Sequence, residues 1–294
     1  MKRYLSGRFA LLSSVVASLV IPGGVFAITI FSVGGDNTTG SIQGTVDAFR
    51  LALGNPNNGN APGPLDSGRR EINWDGGGSP DNSSGGTPFN VFLNTRGAQF
   101  TTPTPGTGFL QGPLSGGVGN GFDGFFNNST LSETFGVFSQ LRLFSPVGSN
   151  ITEASFFIPG TNGGVPASVR GFGAIFTDVD LLGSTSIEFF DIHNNPIFSQ
   201  NVAPGTPNIV DNKTFSFLGA IGDAGEEIFR VRITSGNTPI SPGARDGVSG
   251  VDLVAMDDFL YAEPRRVPDS GSGVALMGLG LSFIFFCRRT LAVS

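Results

Sequence analysis

Cysteine and histidine are almost absent from this 294-residue chain, which holds one of each. Cys287 lies in an apolar run near the C-terminus, so the rest of the chain has no disulfide framework and must fold around its own core. His193 lies in a turn-like stretch between two predicted strands. One histidine without a usable cysteine cannot supply the usual zinc ligands, and no nucleophile motif accompanies His193.

Charged residues are also scarce, at 14% of the chain, and 23 acidic residues oppose 17 basic ones. Seven of the basic residues and one acidic residue lie in the two terminal segments, residues 1–27 and 265–294. The part between them therefore keeps 10 basic and 22 acidic residues, a formal charge of −12. This charge argues against nucleic acid and anionic membrane surfaces as partners, and it is compatible with divalent cations.

The N-terminus has the order of a secretory signal. Lys2, Arg3 and Arg8 precede an apolar stretch from Phe9 to Ile21, and small or compact residues lead to Ala27. Because the apolar stretch is short for a membrane span, we expect a signal peptidase to cleave after Ala27. The alternative is an uncleaved N-terminal anchor.

The C-terminus combines a short motif, an apolar run and a basic end. The motif consists of Val267, Pro268, Asp269, Ser270 and Gly271, and a predicted transmembrane segment follows over 272–287. At about 1.5 Å per residue this run reaches slightly less than the ~30 Å hydrocarbon core. Arg288 and Arg289 then form a basic stop, which predicts a cytoplasmic C-terminus. The alternative is a buried core helix.

Short apolar runs between glycine-rich turns predict a mainly β fold, a jelly-roll-like β-sandwich over residues 28–264. Phe229, Val231 and Ile233 alternate with polar residues, as in a half-buried strand. One short helix is predicted over 42–53, because Ile42, Val46, Phe49 and Leu53 have helical spacing and Gly54 follows. Residues 54–130 are loop-rich and are interpreted as a long insertion. The predicted strands are 97–101, 133–139, 141–144, 153–158, 169–177, 185–191, 196–201, 214–218, 227–234 and 251–262.

Aspartates close to predicted strand ends make a structural calcium ion the candidate cofactor. Asp178 and Asp180 flank Val179, and Asp257 and Asp258 lie in the last long strand. Carboxylate oxygens are ligands that Ca²⁺ prefers in exported β domains. The alternative is that Arg170, Arg230 or Arg232 pairs with these acids across the sheet.

Carbohydrate binding is a second hypothesis, since sugars stack on exposed aromatic rings with a polar tip. Trp74 is the chain's single tryptophan, and it lies in a polar stretch, which makes it the candidate glycan contact. The alternative is that Trp74 anchors the loop-rich segment onto the sandwich. A polysaccharide-active hydrolase is a third reading, which requires two carboxylates at glycosidase spacing. Glu71 and Asp75 bracket Trp74 and are one such candidate pair.

The C-terminal segment resembles the VPDSG variant of the PEP-CTERM sorting signal in its motif, apolar span and double arginine over residues 267–294. The resemblance implies a bacterial surface protein that an exosortase-like transpeptidase recognises and processes, with the catalytic residues in that enzyme. It also implies an association with biofilm matrix. Arg265 and Arg266, directly before the motif, and the end 290–294 depart from the usual tail, which leaves the cleavage point open.

The body resembles exported bacterial β-rich proteins without an assigned activity, in the stretches 69–76, 142–150, 171–180 and 252–264. The sequence therefore predicts a non-enzymatic exported protein of the cell envelope or extracellular matrix. Its C-terminal helix would anchor it transiently in the inner membrane before processing, and extracellular polysaccharide is a candidate partner. The carbohydrate-binding module remains the alternative.

Overall fold

The chain is mainly β, with 37% strand against 14% helix in the computed structural model. The structure describes residues 27–267 except 76–82, 117–119, 207–212, 224 and 226. Its strands, numbered in chain order, form two antiparallel sheets. In the first sheet the order is β1 (Ile28–Gly34), β12 (Phe215–Gly222), β9 (Gly171–Thr177), β14 (Ala255–Ala262), β6 (Leu143–Val147), β5 (Gly108–Gly112) and β3 (Ser83–Gly85), with β2 (Arg69–Ile72) also paired to β14.

The second sheet has seven strands. Their order is β11 (Pro196–Asn201), β10 (Ser186–Phe190), β13 (Arg230–Thr234), β7 (Ile151–Phe157), β8 (Pro166–Ser168) and β15 (Arg265–Arg266), with β4 (Ala98–Thr101) also paired to β7. The described helices are α1 (Gly40–Leu53), α2 (Leu93–Arg96), α3 (Gly121–Phe125), α4 (Leu131–Thr134) and a 3₁₀ turn (Val248–Gly250).

One apolar core lies between the two sheets. It joins Phe172 and Phe176 of β9 to Ile187 of β10 and to Val231 and Ile233 of β13. The alternation predicted for β13 is confirmed for Val231 and Ile233, which are buried while Arg230 and Arg232 lie at intermediate exposure. Phe229, predicted for the same buried face, precedes β13 and is only half-buried. Phenylalanine is the commonest residue type in this core.

The predicted helix is confirmed as α1, which packs on the outer face of the first sheet. Its buried residues are the four that the helical spacing singled out, Ile42, Val46, Phe49 and Leu53. Phe49 lies over Gly173 and Gly219, which are paired across β9 and β12. A Cβ on either glycine would approach a Phe49 ring atom to 2.8 Å, so the glycines allow the helix to approach the sheet.

Two of the expectations about elements are wrong. The predicted strand over 133–139 is instead helix α4 followed by irregular chain. Residues 54–130 are not an insertion lying on a complete sandwich, because β2, β4 and β5 pair with β14, β7 and β6. Neither strand propensity nor the positions of glycine and proline indicated these pairings, because each partner strand lies far away in the sequence.

The irregular part of 54–68 is fixed by a buried ion pair. Arg70 Nε donates to Glu263 Oε2 at 2.6 Å, and its other guanidinium nitrogens reach Glu263 Oε1 and the carbonyls of Gly59 and Ala61. Arg70 is fully buried and Glu263 nearly so. Both charges are thus compensated by hydrogen bonds, which is the condition under which a protein tolerates them inside.

Candidate metal centre

Three aspartates from two loops meet at one end of the first sheet. Asp178 and Asp180 follow β9 at the start of the β9–β10 loop (178–185), and Asp246 lies in the β13–β14 loop (235–254). One carboxylate oxygen from each residue lies within 4.8 Å of the other two. We call these three residues the acidic cluster.

A fourth aspartate fixes the shape of the β9–β10 loop. Asp252 is fully buried, and its carboxylate accepts the backbone N–H groups of Asp180 and Leu181, both at 3.2 Å. The hydroxyl of Ser184 also donates to Asp252. Both carboxylate oxygens of Asp252 therefore hold backbone or hydroxyl donors, and this residue positions Asp180 within the acidic cluster.

The β13–β14 loop is held from two sides. Asn128 Nδ2 donates to the carbonyls of Ser241 and Ala244, at 3.1 and 2.8 Å. Asp246 Oδ1 accepts the backbone N–H of Leu253 at 2.7 Å, and Leu253 packs in an apolar cluster with residues of α3 and α4. Asp246 is thus fixed relative to the start of β14, which brings it to Asp178.

Asp178 is the most deeply placed member of the acidic cluster. Its side chain is fully buried, and its backbone has a positive φ of 70°. Oδ1 accepts the backbone N–H of Lys213 at 3.0 Å. Within the described residues, Oδ2 has no hydrogen-bond partner.

Burial and mutual repulsion dominate the electrostatics of the acidic cluster. Burial, followed by the charges of Asp246 and Asp180, raises the pKa of Asp178 to about 9. Burial, followed by Asp246 and Asp252, raises the pKa of Asp180 to about 7. Burial also raises the pKa of Asp246. The cluster can therefore be satisfied by shared protons or by a cation, since either removes unfavourable negative charge.

The arginines proposed as partners of these aspartates lie elsewhere. Arg230 and Arg232 both donate to Glu153, and Arg230 also stacks on Phe190. Arg170 donates to the carbonyls of Ala52 and Leu53 at the end of α1. None of these three guanidinium groups neutralises the acidic cluster.

Asp257 and Asp258 occupy a different site from Asp178 and Asp180. They form a bulge in β14, where two residues face one residue of β9 between Met256 and Phe259. Asp257 accepts the Phe138 N–H at 2.7 Å, and its carboxyl lies within hydrogen-bonding reach of Asp258. The structure therefore divides the predicted calcium set, because the acidic cluster takes Asp246 in place of Asp257 and Asp258.

Trp74 is not an exposed platform. It is fully buried, stacks on Phe144 with ring centroids 3.7 Å apart, and touches the rings of Phe92, Phe100 and Phe259. Its Nε1–H donates to the carbonyl of Asp257 at 2.7 Å. This geometry agrees with the alternative, in which Trp74 anchors its segment to the core.

The other candidates for chemistry are tied into structural contacts. His193 is exposed, and its backbone N–H donates to Asp191. Glu71 is paired with Arg69 and Arg50. Asp75 accepts the backbone N–H groups of residues 141 and 142.

Most of the terminal signals lie outside the described residues. This holds for residues 1–26 of the predicted signal peptide, for Pro268–Gly271 of the motif, for the segment 272–287 and for Arg288 and Arg289. Among the helices that the structure does describe, none is long and apolar enough to cross a bilayer.

Comparison with known proteins adds no relative, since no protein-family model, curated protein or solved structure matches this chain. The site is therefore defined by its own geometry. Neither Asp246 nor Asp252 was predicted from the sequence for the calcium site. The Asp-x-Asp step marked Asp178 and Asp180, whereas no local pattern linked them to aspartates about 70 residues further on.

Proposed function

We propose that this chain is a non-enzymatic exported protein of the cell envelope or extracellular matrix. A signal peptidase would remove residues 1–27, and the segment 272–287 would hold the chain briefly in the inner membrane. An exosortase-like transpeptidase would then process the tail at the Val267–Gly271 motif. The membrane orientation follows from the export of the N-terminus and from the basic stop at Arg288 and Arg289.

The observation that carries this proposal is where the strands begin and end. β1 begins at Ile28, the first residue after the predicted cleavage point. β15 ends at Arg266, one residue before the motif. The two sorting signals thus flank the sheets, as separable signals at the ends of one exported domain would.

The places of β1 and β15 in the sheets support the same proposal. Among the described strands, β1 ends the order of the first sheet and pairs with β12, while β15 ends the order of the second and pairs with β8. Because each is an edge strand, a cut beyond it breaks no internal ladder.

We further infer a jelly-roll-like arrangement of the main strands. Apart from β8 and β11, which stay in the second sheet with the strands before them, the strands from β7 to β14 change sheet at each step along the chain. Successive strands that cross between two antiparallel sheets are typical of this topology. Carbohydrate binding is not part of the proposal, because its candidate platform, Trp74, is buried.

Mass spectrometry of the mature envelope protein tests the processing. We expect an N-terminus at Ile28 and loss of the residues that follow the cut near the motif. A Pro268→Ala variant should accumulate as an unprocessed membrane form. Pro242→Ala, a change at an exposed loop proline, serves as the control and should be processed normally. A mature protein that is intact through Ser294 would overturn the proposal.

A further inference from the structure

We propose that Asp178, Asp180 and Asp246 bind a calcium ion that joins the β9–β10 loop to the β13–β14 loop. This inference goes beyond the envelope function and does not depend on the processing of the tail. It revises the ligand set expected from the sequence, because it excludes Asp257 and Asp258. Asp252 is assigned a positioning role, since its oxygens are occupied by the donors of the β9–β10 loop.

The first argument is the spacing of the oxygens. One carboxylate oxygen of each residue lies within 4.8 Å of the others. Two ligands on opposite sides of a Ca²⁺ ion, each about 2.3–2.6 Å away, are roughly 4.6–5.2 Å apart. One ion therefore fits among the three carboxylates. Asp180 and Asp246 are only half-buried, so water can complete the coordination from the solvent side.

The second argument is an unpartnered buried oxygen. Asp178 is 0% exposed, and the backbone N–H of Lys213 occupies its Oδ1. Oδ2 accepts no hydrogen bond from any residue that the structure describes. Burying a carboxylate oxygen without a partner is costly, and the carboxyl lies against Asp180 and Asp246. A cation among the three carboxylates supplies the missing partner.

The third argument is charge. Arg245 is the sequence neighbour of Asp246, yet it donates to Asn128 and to the Ala244 carbonyl. Among the described residues, no salt bridge joins Asp178, Asp180 or Asp246 to a lysine or an arginine, so the repulsion among the three carboxylates is not compensated. A divalent cation would remove this repulsion in a way that no side chain shown in the cluster does.

The donor set selects the ion. All three side chains offer hard carboxylate oxygens, which suit Ca²⁺ and Mg²⁺ rather than softer metals. Mg²⁺ has strict octahedral geometry and usually keeps several waters with one or two carboxylates. Three carboxylates on two irregular loops, one of them fully buried, favour the larger and less demanding Ca²⁺ ion.

The test uses protein purified after expression of the full chain and stripped of cations with EGTA. Titration calorimetry with CaCl₂ should give one site with a Kd of about 10⁻⁴–10⁻³ M, which is typical of extracellular modules. At about 10 mM CaCl₂ the Tm should rise by about 4–8 °C. MgCl₂ at the same concentration should raise the Tm by less than half as much.

Asp178→Asn is the decisive variant. The amide oxygen can still accept the Lys213 N–H, while the amide nitrogen replaces the unpartnered oxygen and removes a buried charge. We expect a calcium-free Tm at or above that of the wild type, together with at least a tenfold weaker affinity for Ca²⁺. If Asp178 served folding alone, the Asp178→Asn variant would not keep the wild-type Tm and at the same time lose its response to calcium.

Asp257→Asn is the matched control, because it also neutralises a fully buried aspartate with a raised pKa. It should keep the wild-type Ca²⁺ affinity. Should Asp178→Asn not fold, Asp246→Asn makes the same test, since its amide oxygen can accept the Leu253 N–H. The proposal is overturned by a wild-type protein that shows neither binding heat nor a Tm shift. It is equally overturned by cluster variants that keep their affinity, or by a loss of affinity in Asp257→Asn.

Discussion

Asp178 and Asp257 are both fully buried aspartates, but their oxygens have different surroundings. Among the described residues, one oxygen of Asp178 has no hydrogen-bond partner, and it lies beside the carboxylates of Asp180 in the same loop and Asp246 in the β13–β14 loop. Asp257 accepts the Phe138 N–H and lies within hydrogen-bonding reach of Asp258. Carboxyl groups lie within hydrogen-bonding reach of one another at both sites, but Asp180 and Asp246 are half-buried and open to solvent, whereas Asp257 and Asp258 are both buried.

Asp257→Asn should make stability less dependent on pH. Burial, followed by the charge of Asp258, raises the pKa of Asp257 well above its ordinary 3.8. The folded state therefore binds more protons than the unfolded state, and wild-type stability falls as pH rises from about 4 through the folded pKa. The asparagine mimics the protonated carboxyl, so the Tm of the variant should exceed that of the wild type increasingly from pH ~5 to pH ~8.

Asp191→Asn is the control of opposite sign for this pH series. Hydrogen bonds from Asn195 and His193 lower the pKa of Asp191, so its charge stabilises the fold above the unfolded pKa. The asparagine variant should lose stability near neutral pH, and the difference should vanish in acid. If Asp257→Asn instead lowered the Tm equally at every pH, Asp257 would not be protonated in the folded domain.

Trp74 shows why single residues were harder to predict than elements. The polar neighbours of Trp74 suggested a surface stretch. The two-residue spacing typical of a strand instead predicts a buried Trp74, because Arg70, Ile72 and Trp74 are alternate residues. All three are buried. The charge of Arg70 made this face look exposed in the sequence, because the Glu263 carboxylate that compensates it lies 193 residues away.

At the scale of elements, local periodicity was a good guide and long-range pairing was not. The 4-3-4 spacing of apolar residues predicted α1, and strict alternation predicted β13. The strand predicted over 97–101 is confirmed as β4. β2 and β5 were missed in the loop-rich range 54–130, because both are short and depend on partners beyond residue 140. Such strands form through tertiary contacts that no local window contains.

Gly219→Ala should loosen the contact between α1 and the first sheet. The new Cβ would lie 2.8 Å from a Phe49 ring atom and 2.9 Å from a Phe217 ring atom. Because both rings are packed in the same apolar cluster, neither can move without cost. We expect a loss of about 1–3 kcal/mol in the free energy of unfolding, measured by urea denaturation.

Gly44→Ala is the matched control for this substitution. Gly44 lies in α1 on the exposed side, and a Cβ there meets nothing within 4 Å. Alanine should stabilise the helix interior by about 0.5–1 kcal/mol. A Gly219→Ala variant as stable as the wild type would show that Phe49 does not depend on the glycine pair.

For the whole molecule, the C-terminal edge of the domain is fixed by Glu263. This carboxylate accepts two hydrogen bonds from Arg70, one from Asn58 and one from the Leu65 N–H. Glu263 therefore joins the end of β14 to β2 and to the irregular segment 54–68, which precedes β2. Through these bonds Glu263 holds the irregular segment 54–68 against β2 and the end of β14.

A protein of residues 28–267 should consequently fold, and one of residues 28–262 should be much weaker. The longer form keeps every described strand, whereas the shorter form loses Glu263 and β15 and leaves the Arg70 guanidinium buried without its carboxylate. Breaking a buried pair from one side costs about 3–5 kcal/mol. Urea denaturation should resolve this difference, and Trp74 fluorescence can report it because Trp74 is buried and the only tryptophan. Equal stability of the two forms would mean that the fold ends before Glu263, and that β15 and the Arg70 pair add nothing to the exported domain.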